Sequence, residues 1–163
     1  MFSSELNEFL PPHRGRNQVF SLFAALSNIR AVGTTSLSAS LEKYALQTGQ
    51  TGLVVVISDL FDPEGYGSAF QSLLHKRLDV VLLHILDEEE LTPTARGELK
   101  LVDAETGQSE NFNLDTRTLL QYRGIMSEFF REIEQFCLNR GIEYLRMTTS
   151  TPVSYTHLTL PTN

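Results

Sequence analysis

The carboxylate of Asp59 is the side chain with the clearest potential for chemistry, because it directly follows an apolar run, Leu53–Ile57, and Ser58. Four β-branched residues in a row, Val54–Ile57, predict a strand that is buried on both faces. Open α/β sheets bind ligands just beyond the carboxyl ends of their strands. Asp59 is therefore a candidate ligand-binding carboxylate. The alternative is a polar residue that ends the strand or fixes the loop by accepting a hydrogen bond.

Other acidic residues near the predicted strand ends favour structural roles. Asp62 precedes Pro63, and this order is typical of an N-cap followed by the first residue of a helix. The acidic run at 87–90 follows a second apolar run and could recruit a cation, but a solvated loop or an acidic helix start is the favoured interpretation. Asp59 and Asp62 are too close in sequence to argue for a general acid–base pair.

Histidine and cysteine occur without the spacing of metal ligands, so the sequence does not indicate a zinc site. His84 lies inside a predicted buried strand, which favours a hydrogen-bonded core histidine. The single cysteine, Cys137, lies on an apolar helical stripe, which favours a buried thiol over a nucleophile. The sequence contains no Gly-x-Ser-x-Gly elbow, no phosphate-binding loop and no dinucleotide fingerprint.

The elements that position these residues alternate between helix and strand. Hydrophobic periodicity and cap residues predict an extended piece at 2–10, helices at 16–30, 36–47 and 63–76, strands at 53–57 and 78–87, a hairpin turning at 103–108, a long helix at 115–139 and a strand at 142–149. Short connections around the third helix predict a right-handed parallel unit. The predicted fold class is α/β, with a doubly wound, mostly parallel sheet and an inserted β-hairpin.

Length and charge restrict the classes of function. A chain of 163 residues suggests one domain. The net charge of −7 argues against a nucleic-acid partner and against an electrostatic membrane anchor. No apolar run approaches the ~20 residues of a membrane span, and the amino-terminal residues lack a signal-peptide pattern. We therefore expect a soluble domain, and the single cysteine fits the cytoplasm.

Six strings of the sequence follow one another in this order of elements: FLPPHRGRNQVFSLFAAL, GTTSL, GLVVVISDLFDPEG, LDVVLLHILDEEEL, LKLVDAETGQ and GIEYLRMTT. Together they resemble the C-terminal part of the domain-of-unknown-function 58 family. These bacterial proteins have a von Willebrand factor A-like domain and are often encoded beside MoxR-type AAA ATPases. The resemblance covers nearly all of residues 2–152.

The resemblance implies a metal-ion-dependent adhesion site at the carboxyl ends of the strands. Such a site combines an Asp-x-Ser-x-Ser loop with a threonine, which corresponds to Thr35, and an aspartate, which corresponds to Asp59. Mg²⁺ prefers hard oxygen ligands of this kind. Thr35 could instead be the N-cap of the second helix, with Ser36 as the other candidate. The sequence contains no Asp-x-Ser-x-Ser, so the resemblance implies that the main ligand loop and the central first strand of the sheet are missing.

Both ends of the chain carry expectations of their own. The partial von Willebrand factor A-like domain is predicted at 1–152, and the resemblance implies further sequence upstream of Met1. Residues 153–163, VSYTHLTLPTN, resemble the translation of a transposon-type sequencing adapter, so we expect a non-native tail that is not part of the domain.

The first functional hypothesis is a non-catalytic protein-interaction module of the von Willebrand A type that works with a MoxR-type AAA ATPase. The resemblance implies Mg²⁺ as the cofactor of the full-length protein, no cofactor for this stretch by itself, and upstream membrane helices with this domain on the cytoplasmic side. No small-molecule substrate is predicted. The alternative hypothesis is a hydrolase or nucleotide-binding enzyme on a doubly wound α/β fold, since fold alone does not decide function.

Overall fold

The computed structural model describes residues 18–28, 36–49, 51–102 and 107–151. The elements in chain order are α1 (Gln18–Ser27), α2 (Leu37–Gln47), β1 (Leu53–Ser58), α3 (Gly67–His75), β2 (Asp79–Leu86), α4 (Glu88–Leu91), β3 (Gly97–Val102), β4 (Ser109–Leu114), α5 (Thr116–Arg140) and β5 (Glu143–Thr148). They belong to two compact units: α1, α2 and α3 form the first, and the strands with α4 and α5 form the second. The extended piece predicted at 2–10 and the tail at 153–163 lie outside the described residues.

The second unit is built on a parallel three-stranded sheet in the order β1-β2-β5. β2 is the middle strand, because Ser58 of β1 pairs with His84, and His84 also pairs with Arg146 of β5. Between β2 and β5 in the chain, β3 and β4 form a separate antiparallel hairpin. This arrangement confirms the predicted α/β class, with a parallel sheet and an inserted hairpin.

The prediction that β1 is buried on both faces is wrong. Leu53, Val55 and Ile57 are 65%, 48% and 55% exposed, whereas Val56 on the opposite face is buried. The physical reason is that a face of a strand is buried only where another element packs on it, and the face that carries Leu53, Val55 and Ile57 is not covered in this way. The middle strand β2 is better covered, and alternate residues along one of its faces are buried: Val80, Leu82, His84 and Leu86.

α5 begins and ends close to where the sequence predicts. Asp115 accepts a hydrogen bond from the backbone N–H of Thr118 at 2.7 Å, and Gly141 ends the helix in the left-handed conformation, with φ 67°. The predicted apolar stripe is confirmed at its centre, where the buried residues are Leu119, Met126, Ile133 and Cys137. Ile125, which was predicted on the stripe, is 68% exposed, because it lies about 100° around the helix from Met126.

Cys137 is a buried thiol, as the helical stripe predicts. Burial raises the pKa of the thiol to about 11, and this effect outweighs the opposing influence of Arg140. Because the thiolate is the nucleophilic form of cysteine, Cys137 is protonated and unreactive at neutral pH.

In the first unit, Asp62 does not cap the helix that the sequence assigned to it. α3 begins at Gly67, whereas Asp62 Oδ2 accepts a hydrogen bond from the N–H of Leu37, the first residue of α2, at 2.6 Å. Asp62 Oδ1 accepts a second bond from the N–H of Glu64 at 2.8 Å. The physical reason is that the unpaired N–H groups at the start of a helix attract a carboxylate, whichever segment supplies it.

We expect Asp62→Ala to lower the free energy of unfolding by about 1–2 kcal/mol, because it leaves one N–H at the start of α2 and one in the loop without an acceptor. Urea unfolding followed by circular dichroism measures this change. Asp62→Asn keeps one oxygen acceptor and serves as the control, with a smaller expected loss. An Asp62→Ala midpoint equal to that of the wild type would contradict the assigned cap.

Candidate functional site

The candidate site lies at the carboxyl edge of the parallel sheet in the second unit. β1, β2 and β5 end at Ser58, Leu86 and Thr148, and parallel strands bring these ends to the same edge. Asp59 follows β1 directly and is exposed, and Asp87 follows β2. The structure therefore places Asp59 at the edge where open α/β sheets bind ligands, as the sequence predicts.

The backbone of Asp59 is fixed by a buried histidine on the neighbouring strand. His84 Nε2 lies 2.9 Å from the carbonyl oxygen of Asp59, and His84 Nδ1 lies 2.9 Å from the hydroxyl oxygen of Tyr144. A carbonyl oxygen can only accept, so Nε2 carries the hydrogen and donates it to Asp59. Nδ1 is then the acceptor, and the Tyr144 hydroxyl donates to it. One imidazole thus connects the end of β1 to β5.

The surroundings of His84 keep its imidazole neutral. Burial is the main cause that lowers its pKa below the ordinary value of 6.5; the hydrogen bond to the Asp59 backbone opposes this shift, and the charge of Arg146 adds to it. Two aromatic rings of α5 pack edge-on against the imidazole, with ring centroids 6.0 Å away for Phe129 and 5.8 Å for Phe130. The prediction of a hydrogen-bonded core histidine is confirmed.

The residue after Asp59 has an unusual backbone conformation. Leu60 has φ 61°, in the left-handed region, and its side chain is buried. A non-glycine residue in this region costs on the order of 1 kcal/mol or more and persists only where the surrounding structure enforces it. The chain therefore makes a fixed, sharp turn directly after the candidate carboxylate.

Asp87, the other aspartate at this edge, has a structural role. Its Oδ1 accepts from the N–H of Glu89 at 2.9 Å, and its Oδ2 accepts from the Thr149 hydroxyl at 2.9 Å. The side chain of Glu90 accepts from the Asp87 N–H, which completes a capping box at the start of α4. Because its backbone and hydroxyl hydrogen bonds stabilise the carboxylate, the pKa of Asp87 is lowered. Of the two favoured interpretations of this run, a solvated loop and an acidic helix start, the structure shows the acidic helix start.

The donor set for a metal ion is limited among the residues that the structure describes. No group of three or more His, Cys, Asp or Glu side chains within the described ranges could hold a metal ion. Asp59 supplies one hard oxygen ligand of the type that Mg²⁺ prefers, and Thr35 lies outside the described residues. Ser36 is the N-cap of α2, with its Oγ accepting from the N–H of Ala39 at 3.3 Å. Of the two candidates for the N-cap of α2, Thr35 and Ser36, the structure shows Ser36 in this role.

Sequence reasoning missed the partners of His84. The polar residue inside an apolar strand was visible, but its two hydrogen-bond partners belong to segments 25 and 60 residues away. Tyr144 stands opposite Leu82 in the sheet register, so its contact with His84 is diagonal between strands. The one signal in the sequence for these partners was Tyr144, which stands two residues before Arg146 in the last predicted strand.

The fold and this edge define an α/β protein with a parallel sheet and a candidate site at the carboxyl ends of its strands. The chain belongs to the DUF58 family, since the family model described as "Protein of unknown function DUF58" matches residues 1–128. No curated protein and no solved structure matches the chain. None of the helices in the described part of the chain is long and apolar enough to cross a membrane.

Proposed function

We propose that this protein is a non-catalytic interaction module of the von Willebrand A type, in which Asp59 and Thr35 contribute to a metal-ion-dependent adhesion site. The observation that carries the proposal is the position of Asp59: its side chain is exposed at the carboxyl edge of a parallel sheet, while His84 fixes its backbone. A bound ligand gains most from a group that is already held in place before binding.

The chemistry of the two side chains supports Mg²⁺ as the ion. Asp59 offers a carboxylate and Thr35 a hydroxyl, and both are hard oxygen donors. A bound Mg²⁺ would supply a coordination position for a carboxylate of a partner protein. Further ligands come, in this proposal, from an Asp-x-Ser-x-Ser loop upstream of Met1, which the family resemblance implies. His84 is not a ligand here, because both of its ring nitrogens are already hydrogen-bonded.

The proposed partner is a MoxR-type AAA ATPase, and the adhesion site would capture an acidic residue on its surface. This part of the proposal rests on the resemblance to proteins encoded beside such ATPases. In the same proposal the domain at 1–152 works in the cytoplasm, and upstream membrane helices tether the full-length protein.

We expect Asp59→Asn to weaken Mn²⁺ binding roughly tenfold or more, because it removes the charged oxygen ligand. The measurement is isothermal titration calorimetry on a longer form of the protein that includes the residues encoded upstream of Met1. Asp79→Asn is the matched control, because Asp79 is an exposed aspartate at the opposite, amino end of β2 in the same sheet. Its binding constant should stay within about twofold of the wild type. Equal Mn²⁺ affinity in the wild type and Asp59→Asn would exclude Asp59 from the site.

A further inference from the structure

The second unit contains an open groove of about 420 Å³ that the proposed function does not use. Its lining comes from three elements: Leu91 on α4, Arg146 on β5, and one face of α5 that includes Arg123, Met126 and Phe130. The volume lies within the range of about 300–1,000 Å³ that is typical of ligand-binding pockets. The groove is therefore large enough to receive several side chains of another molecule.

The charge of this groove is opposite to that of the whole protein. Arg123, Arg131 and Arg146 line it together with a single acidic residue, Glu134, so the lining is positive although the chain has a net charge of −7. Three of the 13 Lys and Arg residues in the sequence thus meet at one place. On α5 the spacing of Arg123 and Arg131 is eight residues, which brings both to one face of the helix.

The carboxylates near these arginines form weak ion pairs. Arg146 lies 3.9 Å from Glu134, and both side chains are substantially exposed. Arg131 pairs with Glu128 on the solvent-exposed surface of α5. Arg123 has no ion pair in the described part of the chain. Exposed pairs of this kind contribute about 0–1 kcal/mol, so Arg131 and Arg146 can exchange their carboxylate partners for an incoming anion.

The floor of the groove is apolar and holds one arginine in place. Met126 is buried, and Phe130 and Leu91 are half-buried. The guanidinium of Arg146 lies over the ring of Phe130, 4.4 Å from its centroid. Such stacking orients the planar guanidinium before binding, and this orientation suits a carboxylate that accepts two parallel hydrogen bonds.

The wall formed by α4 is fixed to the long helix. The hydroxyl of Tyr122 on α5 donates to the carbonyl oxygen of Glu90 at 2.5 Å. Partial burial is the main cause that raises the pKa of Tyr122, so the hydroxyl remains protonated and able to donate. This hydrogen bond holds Leu91, the next residue, at the edge of the groove. Contacts within the second unit thus hold the α4 wall, Arg146 on β5 and the apolar floor of the groove in place.

We propose that this groove binds an acidic segment of a partner protein that inserts an apolar side chain between carboxylates. The guanidinium groups bind the carboxylates, and Phe130 with Leu91 receives the apolar side chain. A nucleic acid is the less suitable occupant, because its continuous negative charge would approach a protein of charge −7 that offers three arginines. The surface does not involve Asp59 and does not depend on a metal ion.

The test uses fluorescence polarisation with a fluorescein-labelled probe peptide, Glu-Asp-Glu-Leu-Phe-Glu-Asp-Glu, and the 163-residue chain. A second probe has Gln and Asn in place of Glu and Asp. The groove variant combines Arg123→Gln with Arg146→Gln. The control variant combines Arg117→Gln with Lys100→Gln, two exposed residues that do not line the groove, so both variants lose the same charge. Circular dichroism verifies that each variant is folded. If the double groove variant is not folded, the single variant Arg123→Gln is used in its place.

We expect the acidic probe to bind the wild type at least roughly tenfold more tightly than the uncharged probe, and the groove variant to lose about tenfold or more in affinity. The control variant should stay within about twofold, and added salt should weaken the wild-type complex. The proposal is overturned by no saturable binding of the acidic probe at up to about 1 mM protein, or by equal losses in both variants. Tighter binding of an oligothymidylate through the same two arginines would also overturn it.

Discussion

Replacing His84 with alanine should lower the free energy of unfolding by about 3–5 kcal/mol. The imidazole is fully buried between Phe129 and Phe130 of α5, so its removal leaves a cavity in the second unit. It also removes the hydrogen bonds that the imidazole makes with the Tyr144 hydroxyl and with the Asp59 carbonyl oxygen. Urea unfolding monitored by circular dichroism measures the loss directly.

Tyr144→Phe provides the matched control for this prediction. It removes one hydrogen bond to His84 and keeps the aromatic ring, so the expected loss is only about 1 kcal/mol. A His84→Ala variant that loses no more than Tyr144→Phe would mean that the imidazole does not connect β1 with β5. A large loss in His84→Ala with a small one in Tyr144→Phe is the expected result.

Stability should also fall as the solution is acidified below pH 6.5, the ordinary pKa of histidine. The pKa of His84 is lower in the folded protein, mainly through burial, so below 6.5 the unfolded chain binds a proton that the folded chain does not. Stability therefore increases with pH in this window, and the loss stops growing once the pH falls below the folded-state pKa. The slope for one proton is at most about 1.4 kcal/mol per pH unit.

A His84→Gln variant isolates this effect, because glutamine does not titrate. Urea midpoints of both proteins between about pH 5 and 7 should converge with acidification, since only the wild type loses stability there. Exposed carboxylates such as Asp87 and Glu89 have lowered pKa values and lose their contribution at lower pH, below the ordinary values of 3.8 and 4.5. Parallel pH profiles for the two proteins would contradict the assignment to His84.

The order of the elements was predictable because each carries a local signal. The apolar runs around Val54–Ile57 and Leu78–Leu86 predict strands, and the caps Asp115 and Gly141 predict both ends of the long helix. These signals depend on neighbouring residues alone, so they survive in a single sequence. These local signals were sufficient to predict the parallel sheet, the hairpin and the position of Asp59 at the carboxyl edge of the sheet.

Features that depend on distant residues were not predictable. Asp62 followed by Pro63 is a valid helix-start signal, but the start of α2, 25 residues earlier in the chain, takes that carboxylate instead. The exposure of Leu53 and Val55 depends on what covers one face of β1, and a run of valines carries no information about that.

The candidate site likewise has a part that was predictable from the sequence and a part that was not. Asp59 was identified from its place after a strand, but its connection to His84 and Tyr144 requires the register of three strands. The arginine groove requires α5, α4 and β5 to be placed together, and the apolar stripe on α5 concealed the arginines that lie beside it. The overall charge composition did not indicate the groove, because the groove is positive whereas the chain as a whole is acidic.

His84 fixes the backbone of Asp59 and so presents its carboxylate at the edge of the sheet. The most direct test is the ¹H–¹⁵N spectrum of the imidazole of His84 at neutral pH, assigned by comparison with His84→Gln. We expect a single neutral tautomer with the hydrogen on Nε2, protected from exchange, and a shift of the Nδ1 signal in Tyr144→Phe. A freely exchanging imidazole with a pKa near 6.5 would show that His84 does not hold Asp59 in this way.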